Sequence, residues 1–243
     1  MKPAFAGAAR ARRAAIRQRP FRSTTILAAA LFVTMAASGT SARASDNPAM
    51  DAAVARVQHE WERIKYQTKD PAVQHAQIQT LARDAAASAA RYPGRAEPLI
   101  WEGIAQSEQA AMSSGFSALA DAKAARRSFE QAYQIDRGAL EAGAPTSLGT
   151  LYYRVPGFPI GFGDKGKARR YLVEGVTLAP DGMDANYFYG DFLMTQGEYA
   201  SAAKVLQHAL ASPPHPDRPV WDAGRRAEIR ALLVKANAKL PRS

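Results

Sequence analysis

The chain has 243 residues, 47% of them hydrophobic and 22% charged, with no cysteine and a formal net charge of +10. The missing cysteines exclude a disulfide framework, thiol chemistry and cysteine-ligated zinc. The length suits a single domain with a sizeable core, and the charge suggests a nucleic-acid partner only until its distribution is read.

Residues 1–44 have the layout of a secretory signal peptide. A basic stretch from Lys2 to Arg22 precedes an apolar run, Ile26–Ala37, and Ala42-Arg43-Ala44 is a small-x-small cleavage site. The run of 12 residues falls short of the roughly 20 needed to span a bilayer, so no stable membrane anchor is expected. This segment holds eight Lys/Arg and no Asp/Glu, which leaves 24 basic against 22 acidic residues in the remainder. A net charge near +2 removes the case for nucleic acid. The expected product is a soluble periplasmic protein.

Residues 45–95 read as two N-terminal helices. Val54, Val57, Trp61, Ile64 and Tyr66 recur at helical spacing, and an Ala-rich stretch over 71–91 stops before Pro93-Gly94. From 96 to 216 the chain repeats itself. Ala202, Leu206, Ala209 and Pro214 stand 34 residues after Ala168, Leu172, Gly175 and Pro180, and a further set is Ala125, Phe129 and Ala132. Each set follows a glycine in the preceding helix: Gly103, Gly149 and Gly190. Small residues let two helices approach, the large residue fills the space beside them, and proline ends the helix. The glycine-to-alanine spacings of 22, 19 and 12 residues predict insertions between the helices of the first two copies. Residues 217–243 predict one more amphipathic helix, with Ile229, Leu232, Leu233, Ala236 and Leu240 inward and a polar outer face that suits a cap.

Leu148-Gly149-Thr150-Leu151-Tyr152, together with these marks on a 34-residue period, resembles the tetratricopeptide repeat (TPR). The resemblance implies an all-α solenoid of helical hairpins: a degenerate repeat over 45–95, three TPR-like repeats over 96–216 and a capping helix over 217–243. It also implies a concave groove that binds a protein or peptide partner. The groove positions it carries over are Ile100, Ile104 and Ser107, then Thr146, Thr150, Tyr153 and Arg154, then Asp184, Tyr187, Asp191 and Met194.

The segment Arg154–Gly166 is richer in Pro, Gly and Phe than a plain turn. Gly161, Gly166 and Lys167 match the start of a phosphate loop, and Gly161, Gly163 and Gly166 match a dinucleotide fingerprint. Both motifs need a strand before them, whereas the preceding segment reads as a helix, and Ala168 replaces the Mg²⁺-binding hydroxyl. No nucleotide or other cofactor is expected. Two readings of the loop stay open: Phe158, Ile160 and Phe162 pack on their own helix pair, or Phe158 and Phe162 form a lip over the groove.

The four histidines lack metal-site spacing, Asp184 and Asp191 read as solvated or groove-lining charges, and Ser113, Ser114 and Ser147 lack a neighbouring base, so a non-enzymatic protein is expected. The exported chain with "VPGFPIGFGDKGKARRYL" also resembles the periplasmic TPR proteins associated with TRAP transporters. That resemblance implies a solute-binding protein as partner, or capture of a small, perhaps hydrophobic ligand.

Overall fold

The computed structural model describes residues 47–240, and among them it has nine α-helices and no strand. The segment expected to be a signal peptide, 1–44, lies outside the described residues. The helices are α1 Pro48–Gln67, α2 Pro71–Arg91, α3 Ala96–Met112, α4 Gly115–Ile135, α5 Ala139–Arg154, α6 Lys165–Leu178, α7 Met183–Thr195, α8 Tyr199–Ala211 and α9 Pro219–Asn237. Local chemistry sets several starts. The Asn47 side chain accepts from Met50 N, Asp70 accepts from Ala72 N and Val73 N, and Asp164 accepts from Lys167 N. Pro48, Pro71 and Pro219 sit at helix starts, where a missing N–H costs nothing.

The pairs α3–α4, α5–α6 and α7–α8 share one packing rule. A Cβ on Gly103 would lie 2.5 Å from the Phe129 ring, one on Gly149 2.6 Å from Leu172, and one on Gly190 2.7 Å from Leu206. The three large residues are at most 1% exposed, and their flanking alanines Ala125, Ala132, Ala168, Ala202 and Ala209 are fully buried. Each glycine therefore makes room for a side chain whose burial contributes about 1.5–3 kcal/mol.

The extra length of the first two pairs takes two forms. Only Ser113 and Ser114 separate α3 from α4, and the surplus lies in the helices themselves, 17 and 21 residues against 13 each for α7 and α8. The expected insertion between these two helices is thus helix extension. Between α5 and α6, residues 155–164 do form a loop. It is closed by Gly163 N to Pro156 O at 2.9 Å and Asp164 N to Tyr152 O at 2.8 Å.

Helix α9 does more than cover an end. It packs on α8 and α7 and also on α1, so α1, α3, α5, α7 and α9 touch in succession around a closed cycle. A Cβ on Gly224 would fall 2.5 Å from the Tyr66 ring, which shows how closely α9 meets α1. Three tryptophans fill one side of the interior. Trp61 and Trp101 meet edge to face at 5.7 Å, and Arg218 lies over Trp221 at 4.4 Å and over Trp101 at 5.7 Å. Arg218 Nε also donates to Glu62 Oε1 at 2.6 Å, pairing a carboxylate that is 2% exposed.

Candidate functional site

The other side of that interior is polar, and α5, α7, α9 and α1 build it. Tyr153 and Arg154 end α5, just after the buried residues Leu148 and Leu151. From there the Tyr153 hydroxyl donates to Asp191 Oδ2 at 2.6 Å, and Arg154 Nη2 donates to the same oxygen at 2.8 Å. Arg154 Nε donates to the Tyr153 hydroxyl oxygen at 3.2 Å, which closes a three-membered network between α5 and α7. Its guanidinium also lies 5.6 Å from the Tyr153 ring and 5.9 Å from the Phe188 ring.

Two turns before Asp191 on α7, Asp184 pairs with Arg225 of α9, Oδ1 to Nε at 2.6 Å. Arg225 is 2% exposed, lies over Tyr187 at 4.4 Å and over Phe188 at 5.0 Å, and donates to Glu228. The Tyr66 hydroxyl of α1 donates to Glu228 Oε2 at 3.5 Å. A buried guanidinium of this kind is retained only with its carboxylates in place, because an unpaired charge there costs several kcal/mol. Burial pushes the hydroxyls of Tyr66, Tyr153 and Tyr187 above the ordinary tyrosine range. They stay protonated donors at every physiological pH.

The rim of this region is held by an unusual piece of backbone. Leu140, Glu141 and Ala142 all have positive φ, at 50°, 53° and 60°, and so make one left-handed turn. None is a glycine, and each such residue costs roughly 1–3 kcal/mol. Ala139 and Ala142 pin the turn by burial, and Ala142 N donates to Gly138 O at 3.1 Å. Glu141 is left exposed, yet desolvation by the surrounding protein pushes its carboxyl up, opposed by the Arg218 guanidinium.

The structure brings Tyr153, Arg154, Tyr187 and Asp191 together, with Asp184 beside them. It separates the rest. Phe162 packs edge to face on Tyr152 at 5.8 Å and lies under the Arg126 guanidinium at 4.4 Å. Phe158 is 93% exposed and Ile160 71% exposed, so of the three apolar loop residues only Phe162 packs on the helices. Met194 is half-buried against the main core. Ile100 is fully buried, and Thr146 is buried against Gly175 of α6, which puts both in packing interfaces. Thr150 turns its hydroxyl back to Thr146 O at 2.8 Å. Ile104 packs at the core edge, and the Ser107 hydroxyl is buried.

Three members of the cluster were not expected from sequence: Arg225, Glu141 and Tyr66. Arg225 had a readable signal. It stands four residues from Trp221 and from Ile229, inside the buried stripe of α9, where a charge needs a partner. Nothing in the local sequence announces the left-handed turn.

The glycine loop follows a helix, α5, and the backbone N–H of Lys167 at the start of α6 already binds Asp164 at 3.0 Å. Lys167 itself lies over the Tyr152 ring at 5.3 Å. A carboxylate therefore occupies the place where either nucleotide motif would hold phosphate. Among the described residues no group of His, Asp and Glu could hold a metal ion. The described residues include surface recesses. One, of about 480 Å³, borders the cluster through Tyr66 and is floored by Ala223 and Gly224. Another, of about 590 Å³, lies between α2, α3 and α4. The chain matches no protein-family model and no curated protein.

Proposed function

We propose that the chain is an exported, TPR-like, non-catalytic scaffold that binds a protein or peptide partner on the α5–α7 side of its interior. The TPR reading is supported by the three glycine–large residue pairs, Gly103 with Phe129, Gly149 with Leu172 and Gly190 with Leu206. The binding reading rests on Arg154. Its side chain is 52% exposed, yet it is fixed by Asp191, Tyr153 and the aromatic faces beside it. A preorganised, partly exposed arginine next to aromatics contributes affinity because little side-chain freedom is left to lose on binding. Glu141 on its left-handed turn supplies the opposite charge at the rim. The tyrosines and guanidiniums of this cluster hold their protonation states, which suits recognition.

The test is a pull-down from periplasmic extract with the wild-type protein and with Arg154→Ala, followed by mass spectrometry of bound proteins and small molecules. A protein retained by the wild type and lost from Arg154→Ala, at unchanged melting temperature, supports the scaffold. Equal retention by both forms removes Arg154 from the site and the reading with it.

One observation favours a second reading. Because α9 returns to α1, helices α1, α3, α5, α7 and α9 close a cycle, which suits an accessory of a TRAP-type transporter that encloses a small ligand. In that case the same experiment yields a small molecule and no protein.

A further inference from the structure

Helices α2 and α4 both pack on α3 and not on each other, which leaves a trough with α3 as its floor. Each helix turns one i, i+3 face to it. From α2 come Ala86, Ala89 and Ala90, whose small side chains leave the space of the recess, about 590 Å³. Leu99 and Glu102 of α3 line the floor, Gln131, Gln134 and Ile135 of α4 line the far wall, and the turn Tyr92-Pro93-Gly94 borders it. The α4 wall is exposed, so a ligand reaches the recess from solvent.

Glu102 is the one charged side chain on this lining. Every glutamate of the described residues except Glu102 and Glu141 is ion-paired. Glu141 faces the Arg218 guanidinium, whereas Glu102 meets neutral donors only. Gln106 Nε2 donates to Glu102 Oε1 at 3.2 Å, and the Ser128 hydroxyl fixes that amide by donating to Gln106 Oε1 at 3.2 Å. Arg91, at the end of α2, lies over the Tyr92 ring at 5.9 Å instead. Burial pushes the Glu102 carboxyl up, opposed by hydrogen bonds from Ser128 and Gln106 and by no positive group. A held, desolvated carboxylate without a counter-charge is an arrangement that a bound cation relieves.

We infer that this recess binds a small organic ammonium, with its N–H donors on Glu102 and the side-chain oxygens of Gln131 and Gln134, and its apolar body against the alanines, Leu99 and Ile135. Small-molecule sites have this make-up, roughly 300–1,000 Å³ of mostly apolar wall with a few placed polar groups. An anion would meet Glu102 with the same sign, and a neutral guest would desolvate the carboxylate further without pairing it. A divalent metal ion needs more ligands than one carboxylate, and among the described residues no group of His, Asp and Glu could hold one. The recess lies on α2, α3 and α4, so the inference is independent of the partner site on α5 and α7.

The probe is 4-phenylbutylammonium, titrated at neutral pH into the nitrogen-15-labelled full chain, with 4-phenylbutanol as its uncharged counterpart. Amide signals of Ala89, Gly94, Glu102 and Gln134 should move and saturate, with a dissociation constant at or below about 1 mM. Those of Tyr153 and Asp191 should stay in place. The alcohol should bind about tenfold more weakly, because it lacks the charge-assisted hydrogen bond. Glu102→Gln keeps the shape and removes the charge; it should weaken the ammonium about tenfold and bring the two probes level. Asp84→Asn removes an exposed carboxylate of α2 outside the recess and should leave the affinity unchanged. Ala90→Leu fills the recess from an exposed position, so the chain should keep its melting temperature and lose both probes. Equal affinity for ammonium and alcohol, unchanged affinity in Glu102→Gln, or shifts confined to other helices would overturn the proposal. So would a titration that shows no saturation by about 10 mM probe.

Discussion

The pairs α3–α4 and α5–α6 start from the same packing rule and handle surplus length in opposite ways. Both seat a large residue against a glycine, Phe129 on Gly103 and Leu172 on Gly149. Around the first turn the sequence is "EQAAMSSGFSALADA", rich in alanine and free of proline, so the added residues continue both helices. Around the second it is "VPGFPIGFGD", whose prolines and glycines end α5 at Val155 and build a hydrogen-bonded loop. Composition at the turn decides whether an insertion lengthens helices or leaves them. The crossing itself is untouched by the choice.

The largest expected effect comes from breaking what the pairs share. In α7–α8, the pair without surplus, Leu206 is fully buried against Gly190. Leu206→Asp places an unpaired carboxylate there and should cost on the order of 3–5 kcal/mol. Chemical denaturation should show loss of most of the folding free energy. A midpoint unchanged within error would mean that the shared crossing does not hold the pairs together.

The two turns should then separate by the kind of glycine each contains. A Cβ on Gly163 would lie 1.9 Å from Val155 O, so Gly163→Ala forces the loop open and should cost about 1–3 kcal/mol. Gly115, at the α3–α4 turn, has φ of 58° and nothing within 4 Å of an added Cβ. Gly115→Ala should therefore cost only the conformational difference, about 1 kcal/mol. Thermal melts of both variants test the order. If Gly115→Ala were the more damaging, the α3–α4 turn would be under a constraint that its open surroundings do not reveal.

The helical content, the three crossings and the absence of a strand before the glycine loop were legible because each is a local pattern of small, large and helix-ending residues. Tyr153, Arg154, Tyr187 and Asp191 lie together as neighbours on α5 and α7. The contribution of α9 was not legible in the same way. Arg225 meets Asp184 only because the last helix returns to the first, a long-range event that no window of sequence contains. The left-handed turn at Leu140–Ala142 escaped for a different reason. No local propensity favours it, so it must be imposed by the burial of Ala139 before it and of Ala142 within it.

The smallest expected effect concerns Lys167, at the end of the loop that mimics two nucleotide motifs. If α5–α6 differed from α3–α4 by carrying a phosphate cradle, Lys167→Ala would abolish nucleotide binding. The loop argues otherwise. Asp164 takes the Lys167 amide, and its carboxylate repels phosphate from the first turn of α6. Ala168 is fully buried at the crossing and offers no hydroxyl to a metal ion. The lysine itself is exposed and contributes a cation–π contact with Tyr152, a surface interaction of roughly 0.5–1 kcal/mol at most. Lys167→Ala should therefore lower the melting temperature by little more than the error of the measurement. Calorimetric titration of the wild-type protein with ATP or NAD should give no heat. Micromolar binding that Lys167→Ala removes would show that the glycine loop, rather than the helix crossing beneath it, is what the second pair was built to carry.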